Sequence, residues 1–238
     1  NEYGADVPRK RAVWRDPAMT LTSFDAKMQD GKAVVSAVYS LPEVKSALAM
    51  TYTINNAGQI LVSSVLTPDA GAEDVPEMMR FGIQMQMPES MDLSTFYGRG
   101  PVENYIDRRS SAFLGEYTLT AAEQAYPYIR PQETGTKSDI RRWCQTTRGG
   151  CGLLFTSPAP FYASALNYSI ESLDNGDGKT QRHFPEVDTV DYVNLLIDSV
   201  QTGVGGIDSW GALPMRQHRL PFGPQSLTVM LTPVCQPK

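Results

Sequence analysis

The segment of the chain best suited to ligand chemistry is residues 203–211, GVGGIDSWG, which places Trp210 among four glycines. Glycine permits positive φ and close backbone approach, so this run predicts a loop rather than a strand or helix. A tryptophan on such a loop either fills a core or offers a flat apolar ring face and an N–H donor to a ring-shaped ligand. Asp208 and Ser209 directly precede the indole, and we expect them to support the loop. The residues alone leave both roles of Trp210 open.

Two further clusters combine charged and aromatic side chains, YGRGPVENYIDRR at 97–109 and YPYIRPQETG at 126–135. Sugars offer hydroxyls to charged groups and a C–H face to aromatic rings, so this composition is typical of carbohydrate contacts. The side chains that we predict as a sugar pocket are Arg108, Glu133, Arg141 and His183. The alternative for these charged side chains is a set of ion pairs that order the loops.

Several other kinds of active site find little support. A retaining glycosidase needs two carboxyl groups about 5–5.5 Å apart, but 26 acidic residues make the presence of such a pair uninformative. The chain has only two histidines and no G-x-S-x-G segment, which disfavours a Ser-His-Asp triad. No phosphate loop, dinucleotide fingerprint or zinc-like Cys/His spacing is present in the sequence.

The composition fits a single large β-rich domain over residues 1–238, with 41% hydrophobic and 20% charged residues. A net charge of −5 gives no electrostatic reason to expect nucleic acid or an anionic membrane as a partner. No apolar run approaches the roughly 18–20 residues that span a bilayer, and we expect no signal peptide. Cys144 and Cys151 flank a turn-like TTRGG and could pair, the alternative being three free thiols with Cys235. These features do not decide between cytoplasm and periplasm.

Alternation of apolar and polar residues is the main structural signal. Residues 80–87, RFGIQMQM, alternate cleanly, and 47–54 with 60–66 predict an antiparallel hairpin around the turn formers of NNAGQ. Further predicted strands are 33–39, 153–156, 163–169, 190–198 and 227–234. Helix is sparse: Thr120 and Glu123 predict a capping box, and 171–173 a single helical turn. We expect a large antiparallel sandwich of two facing sheets, with long loops concentrated in 97–160.

Three motifs, in this order and at these separations, closely resemble the C-terminal small-chain domain (domain 5) of the multidomain β-galactosidases of glycoside hydrolase family 2. They are YGRGPVENYIDRR at 97–109, YPYIRPQETG at 126–135 and VGGIDSWG at 204–211. The opening residues NEYG also resemble the segment where that domain starts. The resemblance covers essentially the whole chain.

The resemblance implies an antiparallel β-supersandwich similar in fold to galactose mutarotase. In that family a separate TIM barrel holds the two catalytic glutamates, so no catalytic residue and no metal ligand is expected here. Mg²⁺ or Na⁺, where the parent enzyme uses either ion, is expected in other domains. The tryptophan of the family's D-S-W motif, which corresponds to Trp210, stacks on the galactoside substrate. The expected partners are the remaining domains of the parent enzyme, above all its barrel.

One departure stands in the loop itself, where the family prototype has Gly-Asp-Asp-Ser-Trp and this chain has Ile207 at the second position. Two other functions remain as alternatives. A carbohydrate-binding module would keep a sugar pocket on the sandwich. A mutarotase-like epimerase would need an acid and a base across the sugar ring, for which only His183 with Glu133 or Glu186 is available.

Overall fold

Antiparallel strands account for most of the chain in the computed structural model, which describes residues 6–174, 182–205, 207, 208 and 210–235. The strands are β1 (Thr20–Gln29), β2 (Lys32–Leu41), β3 (Ser46–Ile54), β4 (Ile60–Pro68), β5 (Arg80–Pro88), β6 (Leu93–Gly100), β7 (Phe113–Thr120), β8 (Lys137–Thr146), β9 (Cys151–Leu166), β10 (Tyr192–Gln201) and β11 (Gln225–Cys235). The short helices are α1 (Val7–Lys10), α2 (Ala121–Gln124) and α3 (Ile170–Leu173), and single 3₁₀ turns lie at Ala12–Trp14, Pro42–Val44, Phe184–Glu186 and Arg216–His218. The antiparallel β class expected from the sequence is confirmed.

The strands form one branched hydrogen-bonded network rather than two separate sheets. Its main path runs β1-β2-β3-β4-β11-β9-β8-β6-β7, and β10 with β5 branches from the second half of β9. β9 joins the two parts because its first residues pair with β11 and its residues 162–166 pair with β10. β5 and β10 contact β11 across the core without pairing with it, which gives the layered arrangement of a sandwich.

The main core lies between these layers. Val193, Leu195 and Ile197 alternate along β10 and are fully buried against Val229 of β11. Trp143 of β8 is fully buried and stacks on Phe96, with ring centroids 4.9 Å apart. Full burial of large apolar side chains contributes about 1.5–3 kcal/mol each, so this cluster is the main source of stability. Its rigidity fixes the strand ends from which the loops emerge.

The predicted strands and helical turns are largely confirmed. β5 places Phe81, Ile83, Met85 and Met87 against the core, as its alternation predicts. The hairpin of β3 and β4 is confirmed, and 153–156 and 163–169 fall mainly within the single long strand β9. Thr120 and Glu123 form the predicted capping box at α2.

The expectation that 97–160 is rich in long loops holds only in part, because β7, β8 and most of β9 also lie there. The glycines that signalled loops instead permit close strand packing. A Cβ at Gly98, for example, would lie 2.4 Å from Cδ1 of Ile140. The sequence does not predict β8, because its polar residues and the register shifts on either side of Ile140 interrupt the alternation of a strand. The true loops of this region are 101–112 and 125–136.

Both alternatives considered for the cysteines, a Cys144–Cys151 pair and three free thiols, are wrong. Cys151 is bonded to Cys235, which lies directly opposite it in the β9–β11 ladder, and Cys144 is a free thiol. Cys151 and Cys235 are 84 positions apart, and only the pairing of β9 with β11 brings them together. Within the described residues, no helix is long and apolar enough to cross a membrane.

Candidate functional site

Trp210 stands out from the surface on the loop 202–215, which we call the Trp210 loop. Its side chain is 88% exposed, and Ile207 and Met215 of the same loop are also exposed. The described residues of this loop belong to no helix or strand, as the glycines predict. The core role considered for Trp210 is therefore wrong.

The tip of the Trp210 loop is shaped by Asp208. Its Oδ1 accepts hydrogen bonds from the backbone N–H groups of Trp210 at 2.8 Å and Ala212 at 3.2 Å. These N–H groups, that of Ala212 first, lower the pKa of Asp208, so its carboxylate stays charged at neutral pH. Such an Asx turn orders the backbone that carries the indole. Ser209, the other predicted supporting residue, lies outside the described residues.

The base of the Trp210 loop is held by the 101–112 loop. Oδ2 of Asp107 accepts from Gly205 N–H at 2.8 Å, and Oδ1 accepts from Val204 N–H at 3.3 Å. Gly203 N–H donates to the carbonyl of His218 at 2.6 Å on the other side. Two of the sequence motifs, 97–109 and 204–211, therefore meet through one carboxylate.

The third motif joins through Glu103. Its carboxylate accepts from Arg108 at 2.6 Å and Gly135 N–H at 2.7 Å, and also from the hydroxyl of Tyr128. Arg108 additionally donates to the Tyr128 hydroxyl. Burial, together with the bond to Glu103, raises the pKa of Tyr128 to about 12, so the phenol remains a donor. Glu103 thereby ties the 125–136 loop to the 101–112 loop.

Glu133 lies in a second charged cluster. Arg80 donates to Glu133 at 3.1 Å and to Asp198 at 2.7 Å, and Thr136 donates to Glu133 at 2.8 Å. The fully buried Tyr105 lies 3.4 Å from Glu133 through its hydroxyl. Burial raises the pKa of Asp198 despite the neighbouring guanidinium. The hydrogen-bonding capacity of these groups is used largely among themselves, as in a cluster that orders loops.

The four predicted pocket residues do not all meet. Arg108 and Glu133 both contact Tyr105, the guanidinium lying 4.9 Å from its ring centroid. Arg141 instead lies over Tyr97 and donates to the carbonyl of Asp139. His183 is exposed, and its backbone N–H donates to Glu186. The grouping of Arg108, Glu133, Arg141 and His183 as a sugar pocket stays a prediction.

Sequence reasoning missed Asp107 and Glu103 as the residues that connect the motifs. Both lie inside YGRGPVENYIDRR, but the residues that they bind are distant in the sequence. Asp107 accepts from Val204, 97 positions away, and Glu103 accepts from Tyr128, 25 positions away. No group of three or more His, Cys, Asp or Glu side chains within the described parts of the chain could hold a metal ion. What the arrangement offers is an anchored loop with an exposed indole.

The molecule is an antiparallel β domain in which three linked loops hold an exposed tryptophan. Comparison with known proteins gives its family. A family model described as "Beta galactosidase small chain" matches residues 1–231. The chain belongs to this β-galactosidase small-chain family, as its three motifs indicated.

The curated relatives are β-galactosidases. That of Priestia megaterium is 32% identical over 214 residues, covering 89% of this chain and 20% of the relative. That of Lactobacillus delbrueckii subsp. bulgaricus is 33% identical over 215 residues, covering 89% and 20%. BgaC of Bifidobacterium adolescentis is 32% identical over 241 residues, covering 97% and 22%. The chain therefore spans about a fifth of the length of the curated relatives it matches.

The structural matches are more distant. A galactose mutarotase related enzyme from Lactobacillus acidophilus is 10% identical with a TM-score of 0.45, covering 90% of this chain and 71% of that one. The α-galactosidase AgaA of Geobacillus stearothermophilus is 11% identical with a TM-score of 0.41, covering 91% and 26%. The fold class rests on the strand pairing described above rather than on these two matches.

Proposed function

We propose that this chain is the C-terminal domain of a retaining β-galactosidase and that it contributes Trp210 to an active site built mainly by another domain. The observation that carries the proposal is the combination of an 88% exposed indole with a backbone anchored at both base and tip. A mobile loop carrying an exposed tryptophan would lose conformational entropy when the tryptophan binds a ligand. An anchored loop presents the ring face at little cost.

The chemistry assigned to Trp210 is binding rather than bond cleavage. An indole face packs against the C–H face of a galactoside, and its N–H can donate to a hydroxyl. The catalytic carboxylates, and any Mg²⁺ or Na⁺, belong in this proposal to the other domains, including a TIM barrel. Support comes from the family match and from the relatives, which are named β-galactosidases and are about five times longer than the matched part.

Exposed apolar side chains on the Trp210 loop and on the linked 125–136 loop fit the same proposal. Ile207 and Met215 are 73% and 56% exposed, and Ile129 of the linked 125–136 loop is 84% exposed. Exposed apolar residues on linked loops are suited to an interface with a further domain. The domain would then bury these side chains while directing the indole toward the sugar.

The test is steady-state kinetics of the Trp210→Ala variant of the complete enzyme. Loss of an aromatic contact worth about 0.5–1.5 kcal/mol predicts a KM raised about 2- to 13-fold, with a smaller change in kcat. Trp210→Phe, which keeps a ring, should recover part of the loss. Phe24→Ala is the matched control, because Phe24 is likewise an exposed aromatic side chain but lies on β1, outside the Trp210 loop. An unchanged KM for Trp210→Ala would refute the assigned role.

A further inference from the structure

We propose that Asp107 is a positioning residue that sets the place of Trp210 by fixing the base of its loop. The inference rests on the proposed function of Trp210 as a substrate contact. It adds a residue from a different motif, far along the chain, whose carboxylate accepts hydrogen bonds from the loop backbone.

The Asp107 carboxylate engages the loop with both oxygens. Oδ2 lies 2.8 Å from Gly205 N, and Oδ1 lies 3.3 Å from Val204 N. Hydrogen bonds to an ionised carboxylate are stronger than those between neutral groups. Gly205 has a φ of +70°, so the chain turns at the point where the carboxylate holds it.

Close approach of the carboxylate depends on Gly203. A Cβ at this position would lie 2.6 Å from Oδ2 and 2.7 Å from Cγ of Asp107. The Gly203 N–H meanwhile donates to the carbonyl of His218, and Thr202 N–H donates to that of Met79 at 2.8 Å. The loop base is therefore fixed from both sides, by the Asp107 carboxylate on one and by the carbonyls of His218 and Met79 on the other.

Asp107 itself stands on a rigid support. Tyr105, two residues before it, is fully buried, and its carbonyl accepts from Arg108 N–H at 2.9 Å in a tight turn. Asn104 is also fully buried, and its Oδ1 accepts from Ser138 N–H of β8 at 3.0 Å. The buried residues Asn104 and Tyr105 thus fix the position of the Asp107 carboxylate, and its hydrogen bonds fix the base of the Trp210 loop.

Two aspartates hold different parts of the Trp210 loop. Asp208 shapes the tip around Trp210, whereas Asp107 fixes where the loop leaves the body of the protein. Removing the Asp107 contact should leave the indole intact but let it sample more positions. The expected consequence is weaker substrate binding exerted through Trp210.

A double-mutant cycle in the complete enzyme tests this coupling. Asp107→Asn keeps the side-chain size but replaces one acceptor oxygen with an N–H₂ group facing a backbone donor. We expect it to raise KM about 2- to 10-fold, less than Trp210→Ala does, and to change KM by less than about 1.5-fold when Trp210 is already alanine. Equal effects of Asp107→Asn in both backgrounds would overturn the positioning role.

A second readout separates this inference from the proposed function. Hydrogen exchange of the peptide carrying Val204 and Gly205 should accelerate in Asp107→Asn, while the buried strand β10 keeps its protection. Asp16→Asn is the matched control, because Asp16 also accepts one backbone N–H, that of Ala18, on an exposed segment. Should Asp107→Asn fail to fold, Gly203→Ala presses on the same contact from the other side and must give the same exchange pattern. Unchanged exchange would refute the role of Asp107 in fixing the loop base. Faster exchange together with an unchanged KM for Trp210→Ala would refute only the role of the indole.

Discussion

Asp198 and Arg80 form a buried pair in which one carboxylate oxygen accepts from Nε at 2.9 Å and from Nη2 at 2.7 Å. The Asp198 side chain is 3% exposed, and the same guanidinium also bonds Glu133. Arg80 lies in β5, Asp198 lies in β10 and Glu133 lies in the 125–136 loop, so these contacts join the sheet to that loop. They connect the folded core with the loops that carry the candidate site.

Removing Arg80 should therefore be costly. We predict that Arg80→Met lowers the free energy of unfolding by about 3–5 kcal/mol, because Asp198 is left as a buried charge without its partner. Urea unfolding followed by circular dichroism gives the value. Arg148→Met is the control, since Arg148 pairs with Asp92 while 77% exposed and should cost at most about 1 kcal/mol. Similar small losses for both variants would contradict the structural role of Arg80.

Lys137 should make stability depend on pH in alkaline solution. Its side chain is fully buried, Nζ donates to the carbonyl of Gly135 at 2.5 Å, and burial lowers its pKa to about 8, partly opposed by Glu103. The unfolded chain keeps the ordinary lysine value near 10.4, so between these values the unfolded state binds more protons. The free energy of unfolding should then rise with pH across this window, by up to about 1.4 kcal/mol per pH unit.

The measurement is a set of urea titrations between pH 7 and 10. Lys137→Met, of similar length but without the charge, should lack this rise, and the difference between the two proteins shows the lysine contribution alone. A difference that stays constant across the window would mean that Lys137 has an ordinary pKa in the folded protein.

The cysteines should be chemically distinct. Peptide mapping without reductant should recover Cys151 linked to Cys235, and a thiol reagent should label Cys144 alone and slowly, because burial raises the pKa of its thiol. Cys235→Ser should cost about 2–4 kcal/mol under oxidising conditions, since the cross-link closes a long loop. Under reducing conditions the two proteins should be equally stable within about 0.5 kcal/mol. Recovery of a Cys144–Cys151 peptide would contradict the described pairing.

The sequence predicts the strands whose two faces differ and misses those whose faces do not. β5 alternates and was found, whereas β1 is exposed along its whole length and carries no such signal. β6 contains Gly98 and Gly100, which resemble turn residues until their close neighbours on other strands are seen. Tertiary contact, not local propensity, decides these elements.

The sequence likewise predicts only the part of the candidate site whose residues are close together in the chain. The glycines and Asp208 lie within a few residues of Trp210, so the sequence predicts both the loop and its local support. The contact of Asp107 with Gly205 joins residues 98 positions apart, and only the fold brings them together. His183 and Arg141 have suitable chemistry, but they lie on other elements and make other contacts.

The position of Trp210 in the complete enzyme with a bound galactoside is the most direct test of the central claim. A crystal structure of that complex should show the indole face within about 4–4.5 Å of carbon atoms of the sugar, which is apolar contact distance. It should also show the Asp107 carboxylate on the backbone of Val204 and Gly205, as here. An indole remote from the sugar, or packed into the interface between domains, would contradict the account.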